Sequence, residues 1–334
     1  MGYAAERAES IKKNKAVKRI VLGVTLCVVL VLCILSAFYP IGAWKYYLSL
    51  PKIEKRQEGD LRVCFVDVGQ GDATIIQLPD NKVMLIDGGN SAESTSLALL
   101  RHLNAMKIKT IDYLVLTHAD ADHCGGLVQV LEHKQVKKVY LPLLAEDSHF
   151  TYQAFEKTMR EKNCEFQYGN ASVHLGSKDG LYILSFLYPY AEDVANYPDL
   201  DFTDDNKYSA VVWLDYLGQS FLFTGDAPFE TEEKMIEGDV LGLGKKYGIK
   251  LSSTEVLKVS HHGSANATSQ TFLEYLHIQH AVISCGKNNS YNHPSVETYQ
   301  RLIDTGASIY RTDRDGSILY TVNKRGVMRV KTLK

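Results

Sequence analysis

The sequence predicts an α/β body carried behind one apolar membrane span. Three observations support this reading. Ile20 to Tyr39 is an uncharged run of 20 residues, the thickness of a hydrocarbon core at helical rise. From Leu61 onward, short β-branched runs alternate with glycine turns and with stretches of helical period. Between Thr117 and Gly126, four metal-capable side chains, His118, Asp120, Asp122 and His123, fall within six positions. They lie where an apolar strand, Ile111 to Leu116, hands over to a helical run beginning at Leu127.

In chain order, residues 1–19 form a basic N-terminus. Arg7, Lys12, Lys13, Lys15, Lys18 and Arg19 outnumber Glu6 and Glu9 there, so the net charge of -2 leaves the remainder net acidic. An acidic body gives no electrostatic ground for loose nucleic-acid binding. Residues 20–39 read as an uncleaved transmembrane helix, because the run is long for a signal peptide and no small-x-small site precedes Pro40. The basic cluster predicts a cytoplasmic N-terminus and an outward body. Trp44, Tyr46 and Tyr47 suit an interfacial belt. Residues 40–60 read as a polar linker and 61–334 as the folded domain. The six cysteines show no paired spacing, so no disulfide framework is expected. Cys64 and Cys285 read as small core residues, and Cys124 as a neighbour of the metal turn rather than a ligand.

Leu61 to Val68, Thr74 to Leu78 and Val83 to Ile86 read as a meander joined by Gly69-Gln70-Gly71-Asp72 and Asp80-Asn81 turns. Gly69-x-Gly71 is not a dinucleotide site, since a β-branched strand follows it instead of a helix. Asp67 and Asp72 read as turn residues, with a supporting role at a metal as the alternative for either. Leu97, Leu100 and Leu103 mark a helix. The acidic stretch Tyr190 to Asn206, with Glu192, Asp193, Asp199, Asp201, Asp204 and Asp205, reads as an irregular solvated loop. Later turns each follow an apolar strand: Gly225-Asp226, Ser260-His261-His262-Gly263 and Cys285 to Pro294. Strand alternation sends adjacent histidines to opposite sides, so one of His261 and His262 would face the centre and the other would serve as a support or leaving-group donor. His261 is expected inward. Lys258 reads as structural.

His118-x-Asp120-x-Asp122-His123-Cys124-Gly125-Gly126 resembles the His-x-His-x-Asp-His signature of metallo-β-lactamase-fold hydrolases, with Asp120 at the second histidine position. That variant is similar to the hydrolase-like domain of the competence protein ComEC family. Phe65 to Ala73, Ile86-Asp87-Gly88-Gly89, Thr224-Gly225-Asp226, Lys258-Val259-Ser260-His261-His262-Gly263-Ser264 and Gly286 to Pro294 match its motifs in order, over roughly Leu61 to Thr321. The resemblance implies an αββα sandwich. It implies two divalent ions, zinc or manganese, held by His118, Asp120, Asp122, His123, Asp226, His261 and His293, with Asp226 bridging. Asp122, Asp226 and His262 would be catalytic, and Asn206, Ser209, Asn289 and Tyr291 would contact substrate. Many enzymes of the fold have a metal-binding histidine near Asn206. This sequence has none, so a ligand is expected from elsewhere or one ion is under-coordinated.

No Ser-His-Asp or Cys-His pairing stands out, so the expected chemistry is hydrolysis by a metal-activated hydroxide. Charge stabilisation of this kind suits a phosphodiester, single-stranded DNA included. The alternatives are another ester (a cell-wall or lipid phosphoester such as a phosphorylcholine ester, or a lactone) and a silent binding module of the same fold. The expected location is a bacterial cell membrane, crossed once, with the hydrolase outside. The membrane is the expected partner and no protein partner is identifiable. The multi-helix channel of full ComEC proteins has no counterpart here, so DNA import is not expected of this chain.

Overall fold

The computed structural model describes residues 2–38, 41–144, 150–197, 199–200, 202 and 204–334. Tyr39 and Pro40, at the expected end of the span, and Asp201 of the acidic stretch lie outside the described residues. The chain divides into two units, Met1–Ser49 and Leu50–Lys334.

In the first unit, α1 (Gly2–Phe38) is one helix of 37 residues, about 55 Å long at helical rise. It continues N-terminally through the basic segment rather than starting at Ile20, because nothing between Lys12 and Ile20 breaks a helix. Residues 12–37 are long and apolar enough to cross a membrane, and Val21, Leu26 and Leu30 stand mostly exposed. The hydroxyls of Thr25 and Ser36 donate back to the Val21 and Leu32 carbonyls, so the helix satisfies its own polar groups. A 3-10 turn, Ile41–Tyr46, follows.

The second unit is built on two sheets. The first sheet takes its strands from both ends of the unit: β1 (Leu61–Phe65), β2 (Thr74–Gln77), β3 (Val83–Ile86), β4 (Thr110–Val115), β5 (Gln135–Leu141) and β6 (Glu165–Tyr168). The second contains β7 (Tyr182–Tyr188), β8 (Val211–Tyr216), β9 (Gln219–Phe223), β10 (Val256–Lys258), β11 (His280–Ile283) and β12 (Ser308–Arg311). The chain then returns to the first sheet with β13 (Ser317–Val322) and β14 (Met328–Leu333), giving the order β14-β13-β1-β2-β3-β4-β5-β6 against β12-β11-β10-β9-β8-β7. The helices are α2 (Glu93–Ala105), α3 (Ala121–Cys124), α4 (Leu127–His133), α5 (Phe150–Glu161), α6 (Ala191–Asn196), α7 (Phe229–Val240), α8 (Gln270–Leu276), α9 (Val296–Asp304) and α10 (Thr312–Asp315).

Period-2 patterning explains the layering. Val63, Phe65, Ile76, Met84, Ile86 and Tyr320 of the first sheet pack against Phe186, Val212, Leu214, Phe221, Phe223 and Val282 of the second. The alternate residues of the second sheet, Val211, Trp213, Leu222, Leu257 and Ile283, pack with Met235 of α7, Phe272 and Leu276 of α8 and Leu302 of α9. On the first sheet the alternate residues Cys64, Ile75, Leu85 and Leu114 are also buried, as are Leu99 and Leu103 of α2 and Val130 and Leu131 of α4. Every face is therefore covered, which is the αββα sandwich. Strands β3 to β6 run parallel, as do β9 to β12, so the loops leaving β4, β9, β10 and β11 gather at strand C-terminal ends, where sites of such sheets form.

The acidic stretch is more ordered than expected. It contains α6, whose entry is closed by the Asp193 carboxylate accepting from the Tyr190 amide at 2.7 Å, and a 3-10 turn, Asp205–Tyr208, opened by Asp204 accepting from the Asn206 amide. Carboxylates at helix N-termini serve as caps there, a local role that net acidity conceals.

Candidate metal centre

The Thr117–Gly126 turn is shaped by what it packs on. A Cβ at Gly71 would overlap the Asp122 carbonyl, and one at Gly126 the Gly88 carbonyl, so the β1–β2 and β3–α2 turns press directly on the ligand turn. The Asp72 amide donates to the Asp122 carbonyl and the Gly88 amide to the His123 carbonyl. Asp87, in the left-handed region at φ 57°, sends Oδ1 to the Thr117 amide and Oδ2 to both the Thr117 hydroxyl and His123 Nδ1, at 2.7 and 2.8 Å. That bond fixes the His123 ring with Nε2 pointing inward.

Asp226, at the end of β9, lies at the centre. Its carboxylate is 3.3 Å from His123 Nε2, 3.6 Å from both His261 Nε2 and His262 Nε2, and 3.7 Å from His118 Nε2. Asp122 is 3.2 Å from His262 Nε2, and Asp120 is 3.6 Å from His118 Nε2. The His293 ring lies 5.7 and 6.3 Å, centroid to centroid, from those of His261 and His262. The structure thus brings together His118, Asp120, Asp122, His123, Asp226, His261, His262 and His293.

The two adjacent histidines do not alternate. His261 and His262 both adopt left-handed conformations, φ 49° and 55°, and Gly263 follows at φ 85°. Strand geometry ends at Lys258, so the rule that separates neighbours does not reach them, and both rings turn toward Asp226. The expected division into one inward and one outward ring is absent, since both lie 3.6 Å from Asp226, and the two differ in burial. His262 is fully buried with Nδ1 donating to the Ser284 carbonyl at 2.9 Å, whereas His261 is partly exposed. His262 therefore faces the interior of the centre, and a buried imidazole is poorly placed to reach a leaving group.

Other expected contacts are redistributed. Asn289 uses its whole side chain on its own loop, donating to the Gly286 and His293 carbonyls and accepting from the Tyr291 and His293 amides, so it positions His293 rather than facing substrate. Ser209 is buried beneath the centre, where its hydroxyl accepts from the Asp226 amide at 3.3 Å. Asn206 lies in the 3-10 turn before β8 with its Oδ1 buried and unpaired. Tyr291 is exposed and stacks on His293. The Cys124 thiol turns to the Ala119 carbonyl.

Lys258, which reads as structural, and Asp72, which reads as a turn residue or a metal support, form a pair across the fold. Lys258 is buried, and its ammonium meets Asp72 at 2.5 Å and the Val259 carbonyl at 2.9 Å. The other Asp72 oxygen, 3.5 Å from His262 Nδ1, has no hydrogen-bond partner. Asp72, His123, Asp226 and His262 form a buried group whose ligand atoms lie within 4.8 Å of one another. Asp67, by contrast, is a turn residue, accepting from the Gly69 amide. The signal for Asp72 was the Gly-x-Gly-Asp turn itself, whose second glycine has a close packing reason.

The donor set fits divalent cations. Nδ1 of His123 faces Asp87 and Nδ1 of His262 faces the Ser284 carbonyl, which leaves their Nε2 lone pairs opposed at 3.3 Å. Such an approach is repulsive unless a cation or a proton lies there. His118 Nε2, Asp226 Oδ1 and His293 Nδ1 are also buried without hydrogen bonds. Imidazole with carboxylate suits zinc, and the carboxylate-rich set suits manganese as well.

Protons compete for the same positions. Burial disfavours the His262 imidazolium, but Asp226 and Asp72 outweigh it and push its pKa up to about 10. His123 rises in the same way, against burial, through Asp226 and Asp87. Burial, reinforced by His262 and His261, lowers His293 to about 4. A raised histidine pKa contributes stability that is complete below the unfolded value of about 6.5 and is lost as pH rises through about 10. The chelator-treated unit 50–334 is therefore expected to lose thermal stability from pH 7 to 10, and the zinc- or manganese-loaded unit to lose less. Lys134, lowered to about 8 by burial, acts in the opposite sense but is common to both forms. Melting curves at pH 7, 8.5 and 10 with and without chelator test this, and parallel curves would refute it.

Comparison with known proteins agrees with this geometry. Residues 66–183 match the metallo-beta-lactamase superfamily. The chain is 31% identical over 281 residues to ComE operon protein 3 of Bacillus subtilis (strain 168), covering 79% of this chain and 33% of that protein. It is 26% identical over 280 residues to competence protein ComA of Neisseria gonorrhoeae, covering 81% and 33%. Recombination protein 2 of Haemophilus influenzae is 28% identical over 255 residues, covering 76% and 28%. The chain spans about a third of the length of these relatives. Its motifs, its two-sheet architecture and these similarities agree: the chain is a ComEC-like protein of the metallo-β-lactamase fold.

Proposed function

We propose that the centre hydrolyses phosphodiester bonds, with single-stranded DNA among its substrates. Two divalent ions, zinc or manganese, would be held by His118, Asp120, Asp122, His123, Asp226, His261, His262 and His293, with Asp72, paired to Lys258 and beside Nδ1 of His262, supporting that ring from behind. When bound, such ions supply an activated water and neutralise charge on the phosphoryl oxygens. Asp226 holds the imidazoles around one point. Asp122, less buried than Asp226, lies where it could accept a proton from the attacking water. His261 and His293, on the more open side, would face the leaving group.

The observation that carries the phosphodiester reading is a polar groove of about 600 Å³ reaching His293, lined by Lys287, Asn288, Asn292, Arg311, Arg314 and Lys334. Arg311 and Arg314 are paired with Asp313 and Asp315, so Lys287 and Lys334 leave the groove cationic. A positive track beside a cation-binding centre suits a polyanionic chain better than a neutral lactone. The names of the relatives, competence and recombination proteins, point the same way. α1 would anchor the chain with its basic end in the cytoplasm and the folded unit outside.

The test is the metal-loaded unit 50–334 assayed on single-stranded DNA, bis(p-nitrophenyl) phosphate and a lactone. Diester cleavage that falls on the order of 100-fold in His262→Ala, and less in His261→Ala, is expected. Turnover of the lactone alone would replace the substrate class. Full metal occupancy without turnover of any of the three would make the unit a binding module.

A further inference from the structure

Between α7 and β10, residues 240–250 read Val-Leu-Gly-Leu-Gly-Lys-Lys-Tyr-Gly-Ile-Lys, a segment with three lysines and no carboxylate. Val240 and Leu241 are each 71% exposed and Leu243 is 55% exposed. The turn is nevertheless well ordered. The Leu243 amide bonds to the Gly238 carbonyl, the Tyr247 and Ile249 amides to the Gly244 carbonyl, and the Gly248 amide to the Lys245 carbonyl. The Tyr247 ring stacks on His174 with centroids 3.3 Å apart. Ile249 and Leu251 are buried among the residues of the second sheet's helix-covered face and root the turn there. Three aliphatic side chains are thus held out toward solvent on a preformed scaffold, with Lys245, Lys246 and Lys250 exposed beside them in sequence. Asp239, just before the tip, is turned inward, its carboxylate accepting from the Leu251 amide and the Tyr275 hydroxyl, while Glu237 stays exposed.

Water offers no gain for exposing three aliphatics on an ordered turn, whereas a lipid interface does. Apolar tips flanked by lysines match a bilayer carrying acidic headgroups: the aliphatics enter the interfacial layer and the ammonium groups meet lipid phosphates. The same chain carries a helix long and apolar enough to cross a membrane. We propose that residues 240–250 form a second membrane contact, a wedge by which the folded unit lies on an anionic phospholipid surface.

Unit 50–334 carries both sheets and their cores, so it can be tested alone. It is expected to co-sediment with vesicles of phosphatidylcholine mixed with phosphatidylglycerol and not with pure phosphatidylcholine. Leu241→Glu/Leu243→Glu should lower the vesicle partition coefficient at least about tenfold, and Lys245→Gln/Lys246→Gln/Lys250→Gln on the order of 100-fold. Both sets replace exposed side chains, so the melting temperature and diester cleavage in solution should be unchanged; a change in either would mark a folding or active-site effect. Equal partition of wild type and both variants would overturn the proposal. So would absence of vesicle binding together with self-association that Leu241→Glu/Leu243→Glu abolishes, since a second copy of the chain would then be the occupant.

Discussion

Replacing Asp226 with asparagine is expected to have the largest effect of any single substitution on activity. The side chain keeps its shape and loses the one charge that faces His118, His123, His261 and His262 together. Bound metal should fall by at least one equivalent per chain, and kcat/KM on bis(p-nitrophenyl) phosphate should fall on the order of 1000-fold. The fold should persist, because the β9 backbone and Ser209 hold the position from below. Metal analysis beside the kinetics separates loss of cations from loss of chemistry. An unchanged metal content would remove Asp226 from the centre of the mechanism.

The largest effect on stability is expected from Lys258→Met. It leaves the Asp72 carboxylate buried without its ammonium, a change that typically destabilises by about 3–5 kcal/mol. Asp72→Asn in the same chain should restore most of that loss, since an amide has no charge to desolvate. The loss should be greater in chelator-treated protein than in loaded protein, because a nearby divalent ion can take up part of the uncompensated charge. Urea titrations of the two single variants and the double variant, with and without metal, measure the coupling directly. Additive effects would show that Lys258 and Asp72 do not act as a pair.

These two predictions differ in how much of their basis is legible in the sequence. The turn from His118 to His123 is legible as a ligand cluster because its side chains are contiguous and bounded by a strand and a helix. Asp226 and His293 become readable through resemblance, each at the end of an apolar strand but far from the first cluster in the chain. Lys258 reads as structural, and Asp72 as a turn residue or a metal support, because neither position has a local signal for the other. Asn289 reads as a substrate contact in the sequence, since an amide in a polar loop stays an open possibility until the fold commits it to four hydrogen bonds.

The apolar span, the alternation of strands and helices, the glycine turns and the contiguous ligand turn are properties of neighbouring residues, and neighbours in sequence determine them through chain stiffness and periodicity alone. Which sheet each late strand joined, which oxygen met Lys258, and how His261 and His262 shared one side of the centre were decided only in the folded chain. Parallel strand order carries distant loops to one edge, and a left-handed turn overrides strand alternation, so these outcomes depend on what lies across the sheet rather than on what lies next in the chain.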